Sequence, residues 1–332
     1  MSATSSSVFP QDFPAGLLRA LARQAMWSPN ALAQHLGVSG HQVVAGLEAL
    51  SALGLALREE GTQVGLRDPL ELLDAERITA ARTGPPLRLQ VLEQVDSTNA
   101  WLARQQASPV PMACVADIQW AGRGRRGRPW LMPLGAGLPL SIGWDIRHWP
   151  ALDPTITLAA GAVVIQALTG LGARGLSLKW PNDILVHGRK LGGILVEGQV
   201  RAGTGAYLIL GLGLNRHLPG PLSIDQPHGD LREAGIDPAL SCNMLAAALL
   251  DALAQLPDSY PDPGFAAYQS QWQAHDACAG QPVVVHQGAH TLTGEGGGVD
   301  EQGRLRVLTT TGPVMVEAGE VTLRLLLSTT PD

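Results

Sequence analysis

Residues 122–139, GRGRRGRPWLMPLGAGLP, restrict the fold more than any other stretch of this chain. The opening Gly-Arg-Gly-Arg-Arg-Gly matches the spacing of a dinucleotide-binding fingerprint, in which a helix must begin at once so that its N-terminus receives the pyrophosphate. Here Arg128-Pro129-Trp130 follows, then Pro133, Gly135, Gly137 and Pro139, and no helix can start in that run. The dinucleotide-fingerprint reading of this loop is thereby rejected. What remains is a loop with four arginines (123, 125, 126 and 128) in six residues, which repel one another unless anions fill it. A solvated basic loop and an RNA-binding segment are the other readings, the second disfavoured by the low aromatic content, 4% of the chain.

The rest of the pattern indicates a mixed sheet. Strands are expected at 87–93, 112–119, 138–145, 176–180, 184–187, 191–199 and 206–212, and helices at 98–106, 155–171, 241–256 and 264–273. Several strands follow one another directly, which favours an α+β fold, with a mixed β-sheet and flanking helices over 87–275. Upstream, 15–67 reads as three helices and a hairpin. Leu17, Leu18 and Leu21 share one helical face; Ser28-Pro29 opens a second helix that Gly37 stops; Ser39 caps a third, carrying Val43, Leu47 and Leu50 and ending at Gly54; the hairpin turns at Gly61. That order resembles a winged helix-turn-helix. Residues 1–14 read as a disordered tail, and 68–86 as a connection containing a helix at 69–80 and a Thr83-Gly84-Pro85-Pro86 linker. From 276 to 332, β-patterned runs alternate with Gly-rich turns, as in a small SH3-like β-barrel.

Charge and composition narrow the partners. The net charge of −6 supplies no global basic field for nucleic acid or an anionic membrane. No apolar run reaches the roughly 18 residues of a membrane span, and the first residues lack the basic and apolar regions of a signal peptide, so a cytoplasmic protein is expected. Three scattered cysteines, 114, 242 and 278, indicate neither a disulfide framework nor a zinc site. Of 23 basic residues only Lys179 and Lys190 are lysine. A genome that favours arginine codons accounts for the imbalance. Under such drift, surviving lysines mark places where a compact ammonium is not replaceable by a planar guanidinium.

Four further stretches can carry chemistry. Asp96-Ser97-Thr98-Asn99 precedes an amphipathic helix; one residue suffices as a cap, and the surplus hydroxyls and amide can bind a small polar ligand. Lys179-Trp180-Pro181-Asn182-Asp183 leads into a strand that turns at His187-Gly188-Arg189 and returns as Lys190-Leu191-Gly192-Gly193. Antiparallel pairing there brings Lys190 within reach of Asp183, as a surface salt bridge or as part of a site. The Gly192-Gly193 pair marks close approach of a ligand or another backbone. Gly211-Leu212-Gly213-Leu214-Asn215 ends a strand on which something can lie flat, although strand-terminal glycines are common.

Taken in order, the Ser-Thr-Asn triplet, the arginine loop, Lys-Trp-Pro-Asn-Asp, Lys-Leu-Gly-Gly-Ile-Leu and Gly-x-Gly-x-Asn resemble the biotin–protein ligase family over roughly 87–325. The resemblance implies a ligase that activates biotin with ATP to biotinyl-AMP, with magnesium on the triphosphate, and passes it to a lysine of a carboxylase's biotin carboxyl carrier domain. It implies that Ser97, Thr98, Asn99 and Gln119 hold the ureido ring, and that Arg123, Gly124, Arg125, Lys190, Gly192, Gly193 and Gly211 complete the biotin site. Arg125, Arg128, Trp130, Lys179, Asn182, Asp183 and Asn215 fall to ATP, with Lys190 and Arg125 as the catalytic pair; no metal-ligand set is assigned. The loop after Asn215 departs from the family, whose best-known bacterial members cover the adenine there with a Trp. This chain offers only His217 and His228 in 216–235.

The larger bacterial members also repress the biotin operon, so operator DNA and a homodimer paired through sheet edges enter as expectations. The sequence weighs against DNA: the third helix holds no Lys or Arg, and residues 1–80 carry five arginines against eight carboxylates, a net −3. A vestigial or regulatory domain is the competing view. A biotin-sensing transcription factor without ligase activity, and a lipoate-type ligase, remain as alternatives for the whole chain.

Overall fold

The structure, a computed structural model, describes residues 16–105, 108–201, 205–218, 226–287, 290–318 and 321–325; the tail expected at 1–14 lies outside them. The chain opens with α1 (Leu17–Arg23), α2 (Pro29–Leu36) and α3 (Gly40–Ala52), then a hairpin of β1 (Leu57–Glu60) and β2 (Gln63–Leu66). The capping residues act where the sequence places them. Ser28 accepts from the Ala31 amide, Gly37 closes α2 at φ 68°, and Ser39 with Gln42 forms a reciprocal capping box on α3.

The central sheet has seven strands in the order β3-β4-β5-β9-β8-β7-β6. They are β3 (Arg88–Val95), β4 (Met112–Gln119), β5 (Gly137–Asp145), β6 (Leu176–Lys179), β7 (Asp183–Val186), β8 (Arg189–Arg201) and β9 (Gly205–Asn215). Only the β3–β4 ladder is parallel. Helix α4 spans Ala75–Ala81, α5 Thr98–Ala103, α6 Ile156–Gly170, α7 Cys242–Ala254 and α8 Gln269–Ala274. Alternate residues of each strand face opposite sides. Leu138, Leu140, Ile142 and Trp144 of β5 and Leu208, Leu210, Leu212 and Leu214 of β9 are buried in one core with α4, α6 and α7. Helix α6 is buried on nearly every side, from Ile156 through Leu168, as its largely apolar sequence requires.

Five antiparallel strands follow, β10 (Pro282–Gln287), β11 (His290–Val299), β12 (Leu305–Thr309), β13 (Gly312–Val316) and β14 (Val321–Leu325), in the order β13-β12-β11-β10-β14. Their buried faces continue the central core through Val283, Val285, Val307 and Val316. Trp180, buried at the end of β6, donates its indole N–H to the Gly303 carbonyl at 2.9 Å.

Two helix expectations need correction. The helix foreseen at 69–80 begins only at Ala75, capped by Asp74. Residues 69–74 stay irregular because their side chains and amides are used elsewhere. Glu71 accepts from Ser241, Asn243 and the Cys242 amide at the start of α7, and the Leu73 amide donates to Asp117 at 2.9 Å. The helix foreseen at 264–273 is split into a 3-10 turn, Gly264–Ala267, and the short α8, with Gly264 in the left-handed region at φ 62°.

A second core joins the N-terminal helices to the sheet. Leu17, Leu18, Leu32, Val43 and Leu50 pack with Ile118 of β4 and with Leu134, and Trp120 lies against them. Polar groups sit at the same junction. Glu93 accepts from the Gly16 amide at the head of α1, and Asp117, beside it on the next strand, accepts from Leu73. Burial pushes the Asp117 carboxyl up to about 7 and raises that of Glu93, with the positive charge of Arg19 opposing both shifts. Between its unfolded value near 4 and about 7, Asp117 holds a proton in the folded state that the unfolded state has lost, so stability falls as pH rises through that window and levels off above it. Asp117→Asn keeps the acceptor for Leu73 without the charge. Unfolding curves between about pH 4 and pH 8 are expected to show the variant gaining about 1–3 kcal/mol on the native chain over that range; parallel curves would contradict the assignment.

Candidate active site

The face of the central sheet opposite its helical core is stripped of bulk. Gly211 and Gly213 of β9 alternate with the core-facing Leu212 and Leu214, and Gly193 of β8 stands opposite Gly213. Neighbours fill two of these spaces. A methyl on Gly211 would stand 2.2 Å from Asn99 Oδ1, and one on Gly213 would stand 2.5 Å from the Trp130 indole. Gly192 is needed for a different reason: on the core side, its added carbon would meet the Gly213 carbonyl at 2.8 Å. The pair at 192–193 thus answers to a neighbouring backbone at one residue and to an open floor at the other.

At one end of this face stands the polar triplet. Ser97 caps α5, and Ser97, Thr98 and Asn99 are all buried. Gln119 Oε1 accepts from the Thr98 amide at 2.9 Å and lies 3.2 Å from its hydroxyl. Asn99 donates through Nδ2 to Glu197 Oε2 at 2.7 Å and, more weakly, to the Leu195 carbonyl at 3.4 Å. Ser141 Oγ, fully buried in β5, lies 2.6 Å from both Thr98 Oγ1 and Asn99 Oδ1. Ser141 and Glu197 are absent from the sequence-derived set. Their signals are faint. Ser141 is the one hydroxyl in an apolar strand, at the same parity as Pro139 and Gly143, and Glu197 ends the Leu-Gly-Gly-Ile-Leu-Val run at the parity of Gly193.

The arginine loop crosses the middle. It is pinched at its base by a Trp130 N–H to Gly122 carbonyl bond of 2.8 Å and closed by a Gly124 N–H to Arg128 carbonyl bond of 2.7 Å. Arg125–Gly127 makes a single 3-10 turn with Arg126 at φ 59°. Arg123 reaches Glu197 at 3.5 Å, and Arg125 donates to the Ala318 carbonyl at 2.7 Å. Burial and the like charge of Arg126 hold the Arg125 guanidinium below its ordinary value, while Asp183 acts the other way. Arg126 and Arg128 are exposed.

Lys190 and Asp183 form an ion pair of 2.7 Å, with only 18% and 16% of their side chains exposed. A register shift after Ile184 inserts Leu191 opposite the β7 strand and turns Lys190 toward Asp183. The Lys190 ammonium lies 5.5 Å from the Trp130 ring centroid, within cation–π range. The Trp130 indole N–H is buried and has no hydrogen-bond partner among the described residues. Lys179 faces Asp183 across the β6–β7 ladder, so both lysines of the chain flank one carboxylate. Asn182 and Asn215 brace this end from behind. Asn182 donates to the Ile194 carbonyl, and Asn215 donates to the carbonyls of Lys190 and Gly229, tying the segment that carries His228 alongside Lys190.

The structure therefore brings most of the sequence-derived residues onto one face in two groups, the triplet with Gln119 and Gly211, and Lys190 with Asp183, Lys179 and Trp130, spanned by the arginine loop, whereas Gly192 faces the core and Asn182 and Asn215 bond backbone carbonyls. Removing one member of the half-buried pair leaves the other charge uncompensated. A double-mutant cycle of Lys190→Met and Asp183→Asn is expected to give a coupling of about 1–3 kcal/mol in denaturant unfolding. Additive losses would mean the pair is not formed in solution.

Known proteins resemble this chain in sequence and in fold. A family profile described as the biotin/lipoate A/B protein ligase family matches residues 91–215. A Salmonella typhimurium protein named bifunctional ligase/repressor BirA is 36% identical over 297 residues, 88% of this chain and 91% of its own length. A Paracoccus denitrificans biotin–[acetyl-CoA-carboxylase] ligase is 32% identical over 246 residues, 70% of this chain and 98% of its own. The Aquifex aeolicus biotin protein ligase, solved in complex with biotin and ATP, superimposes with a TM-score of 0.60 at 28% identity, covering 72% of this chain and 99% of that one.

Proposed function

We propose that this chain, which belongs to the biotin/lipoate A/B protein ligase family, is an ATP-dependent biotin–protein ligase acting on a biotin carboxyl carrier domain of a carboxylase. The observation that carries this reading is a glycine-floored sheet face with a buried polar triplet at one end, a lysine–aspartate pair at the other and an arginine loop between them. The same floor can hold a flat bicyclic ring against the triplet and extend its carboxylate toward Lys190. Ser97 has a hydroxyl proton to give a ureido carbonyl, and Thr98 can accept from a ureido N–H.

In the first step a carboxylate oxygen of biotin bonds to the α-phosphorus of ATP, and the bond from that phosphorus to the departing pyrophosphate breaks. Two anions about 4 Å apart repel by roughly 4 kcal/mol at an effective dielectric near 20. Lys190 and Arg125 are the donors that would remove that repulsion, Arg125 as a planar clamp and Lys190 as a point charge. Arg123, Gly124 and Arg128 line the loop that shields the water-sensitive anhydride. Lys179, Asn182, Asp183 and Asn215 belong to the nucleotide side, with Asn182 and Asn215 acting through the backbone they hold. His228, tied beside Lys190, is the ring available where the family's adenine-covering Trp is missing. Magnesium would neutralise charge on the triphosphate. Among the described residues no group of three or more His, Cys, Asp or Glu converges that could hold a metal by itself. In the second step a carrier lysine amine bonds to the acyl carbon, the bond to AMP breaks, and AMP and a proton leave.

We read 15–67 as a winged helix-turn-helix, 87–275 as the catalytic domain and 276–332 as an SH3-like barrel. Relatives named ligase/repressors favour an operator-binding second role. Against it, the exposed side of α3 offers His41, Val44 and Glu48, and the hairpin offers Glu59 and an Arg58–Glu60 pair. A gel shift with biotin, ATP and biotin-operon promoter DNA decides the point, and no shift at low salt ends the repressor role.

Biotin-dependent ATP–pyrophosphate exchange tests the main reading. Lys190→Ala is expected to lower exchange by about 100-fold or more, with biotin and not lipoate driving the native protein. Absence of exchange in the native chain would leave a biotin sensor, and equal activity with lipoate would leave a lipoate-type ligase. The buried polar triplet favours biotin, because a dithiolane ring has no ureido group to satisfy it.

A further inference from the structure

The ladder that holds Lys190 changes partner at that residue. Along β8 the neighbour on one side is β9, with Gly192 opposite Leu214, and β9 ends at Asn215. Lys190 lies beyond that end. Its amide donates instead to the Pro227 carbonyl at 2.9 Å, and its carbonyl accepts from the Gly229 amide at 3.0 Å, so 227–229 runs parallel to it with His228 as the bridge partner. Both backbone groups of Lys190 are thus held by a segment outside the named strands.

Asp230 fixes that segment. Only 2% exposed, its carboxylate accepts from the Leu218 amide at 2.9 Å, the Arg232 amide at 3.0 Å and the Arg232 guanidinium at 2.6 Å. Arg232 in turn donates to the Leu218 carbonyl at 2.9 Å and reaches His217 Nε2 at 3.2 Å. The ion pair therefore grips Leu218 by both of its backbone groups, and joins the limb leaving β9 to the limb beside Lys190. Asn215 closes the ring, its side chain donating to the Lys190 and Gly229 carbonyls and its own carbonyl accepting from the Leu231 amide. We infer that Asp230, paired with Arg232, is a positioning residue for Lys190, acting through the backbone of 227–229 to seat the lysine beside Asp183. This rests on the ligase reading above. A lysine side chain is flexible, so its ammonium converges on one point only if its backbone is fixed, and a misplacement of about 1 Å at a reacting centre can cost on the order of 100-fold in rate. Asp230→Asn keeps one acceptor oxygen but loses the charge, which weakens the tie between the limbs.

The test is biotin-dependent ATP–pyrophosphate exchange at saturating ATP, for the native chain, Asp230→Asn and Arg232→Gln, each with Lys190 and with Lys190→Ala. Saturation removes from the comparison any contact that His228 makes with the nucleotide. With Lys190 present, both variants are expected to lose about tenfold in kcat, while the KM for biotin moves less than about twofold. In the Lys190→Ala background the same substitutions are expected to cost less than about twofold, because a residue that acts through Lys190 has nothing left to position. An equal loss in both backgrounds would reduce the pair to a structural tie and overturn the inference. Amide hydrogen exchange gives a readout that needs no catalysis. The Lys190 and Gly229 amides are expected to exchange about tenfold faster in the variants, with Leu210 in the middle of β9 unchanged, and unaltered protection at Lys190 would also overturn the inference. Thermal melts identify a variant that has lost its fold. Should Asp230→Asn not fold, Arg232→Gln decides, since that side chain is 41% exposed. A native chain without exchange activity would overturn the ligase reading, and amide protection would then decide by itself whether Asp230 holds the backbone of Lys190.

Discussion

The pleat of β9 governs both sides of the central sheet at once. Leu208, Leu210, Leu212 and Leu214 point into the helical core, so Ile209, Gly211 and Gly213 must point away from it. A slip of one residue would bury the glycines and expose the leucines, which burial of four leucine side chains, about 1.5–3 kcal/mol each, forbids. The glycines are then free to answer to the site. Gly213 receives the Trp130 ring and Gly211 the Asn99 amide, at approaches that any side chain would prevent. The core thus fixes the register, and the register delivers a bare floor to the opposite face without any interaction devoted to that purpose.

The arginine loop depends on a second core for its footing. Ile118 and Trp120, which lead into it, and Leu134, which follows it, all pack among the leucines of α1, α2 and α3, and the Leu134 amide donates to the Leu53 carbonyl at 3.0 Å. Both stems of a loop whose arginines repel one another are therefore held by the N-terminal unit. The footing of the loop is thus a packing role of the N-terminal helices that needs no positive charge on them. Gln119, one residue beyond Ile118, carries the same constraint to Thr98.

What the sequence makes legible is local. Ser28, Gly37 and Ser39 mark helix ends because caps act within four residues, and the Lys179–Lys190 hairpin is readable because its turn fixes its partners. The errors are tertiary. Residues 69–74 have a helical pattern, yet Glu71 is drawn to the head of α7, some 170 residues along the chain, and Leu70 and Leu72 to the N-terminal core. The helix expected at 264–273 opens on Gly264 in a left-handed conformation and is divided at Tyr268 into a 3-10 turn and the short α8. Ser141 and Glu197 escape notice because each matters through a neighbour 42 or 98 residues away, and neither has a local motif.

The charge of the whole chain, −6, has the wrong sign for attracting anionic substrates. Distance resolves this. At physiological ionic strength charges are screened over about 8 Å, so surface carboxylates farther away have little effect at the site. Within it, Lys179, Lys190 and Arg125 surround Asp183 and leave an excess of positive charge in surroundings that are only partly solvated. Asp183 holds Lys190 in place, and under the proposed reading an incoming phosphate would compete for the same ammonium. The carboxylate lowers the gain from binding one anion, but it keeps the cations converged, and convergence matters most when two anions must be brought into contact.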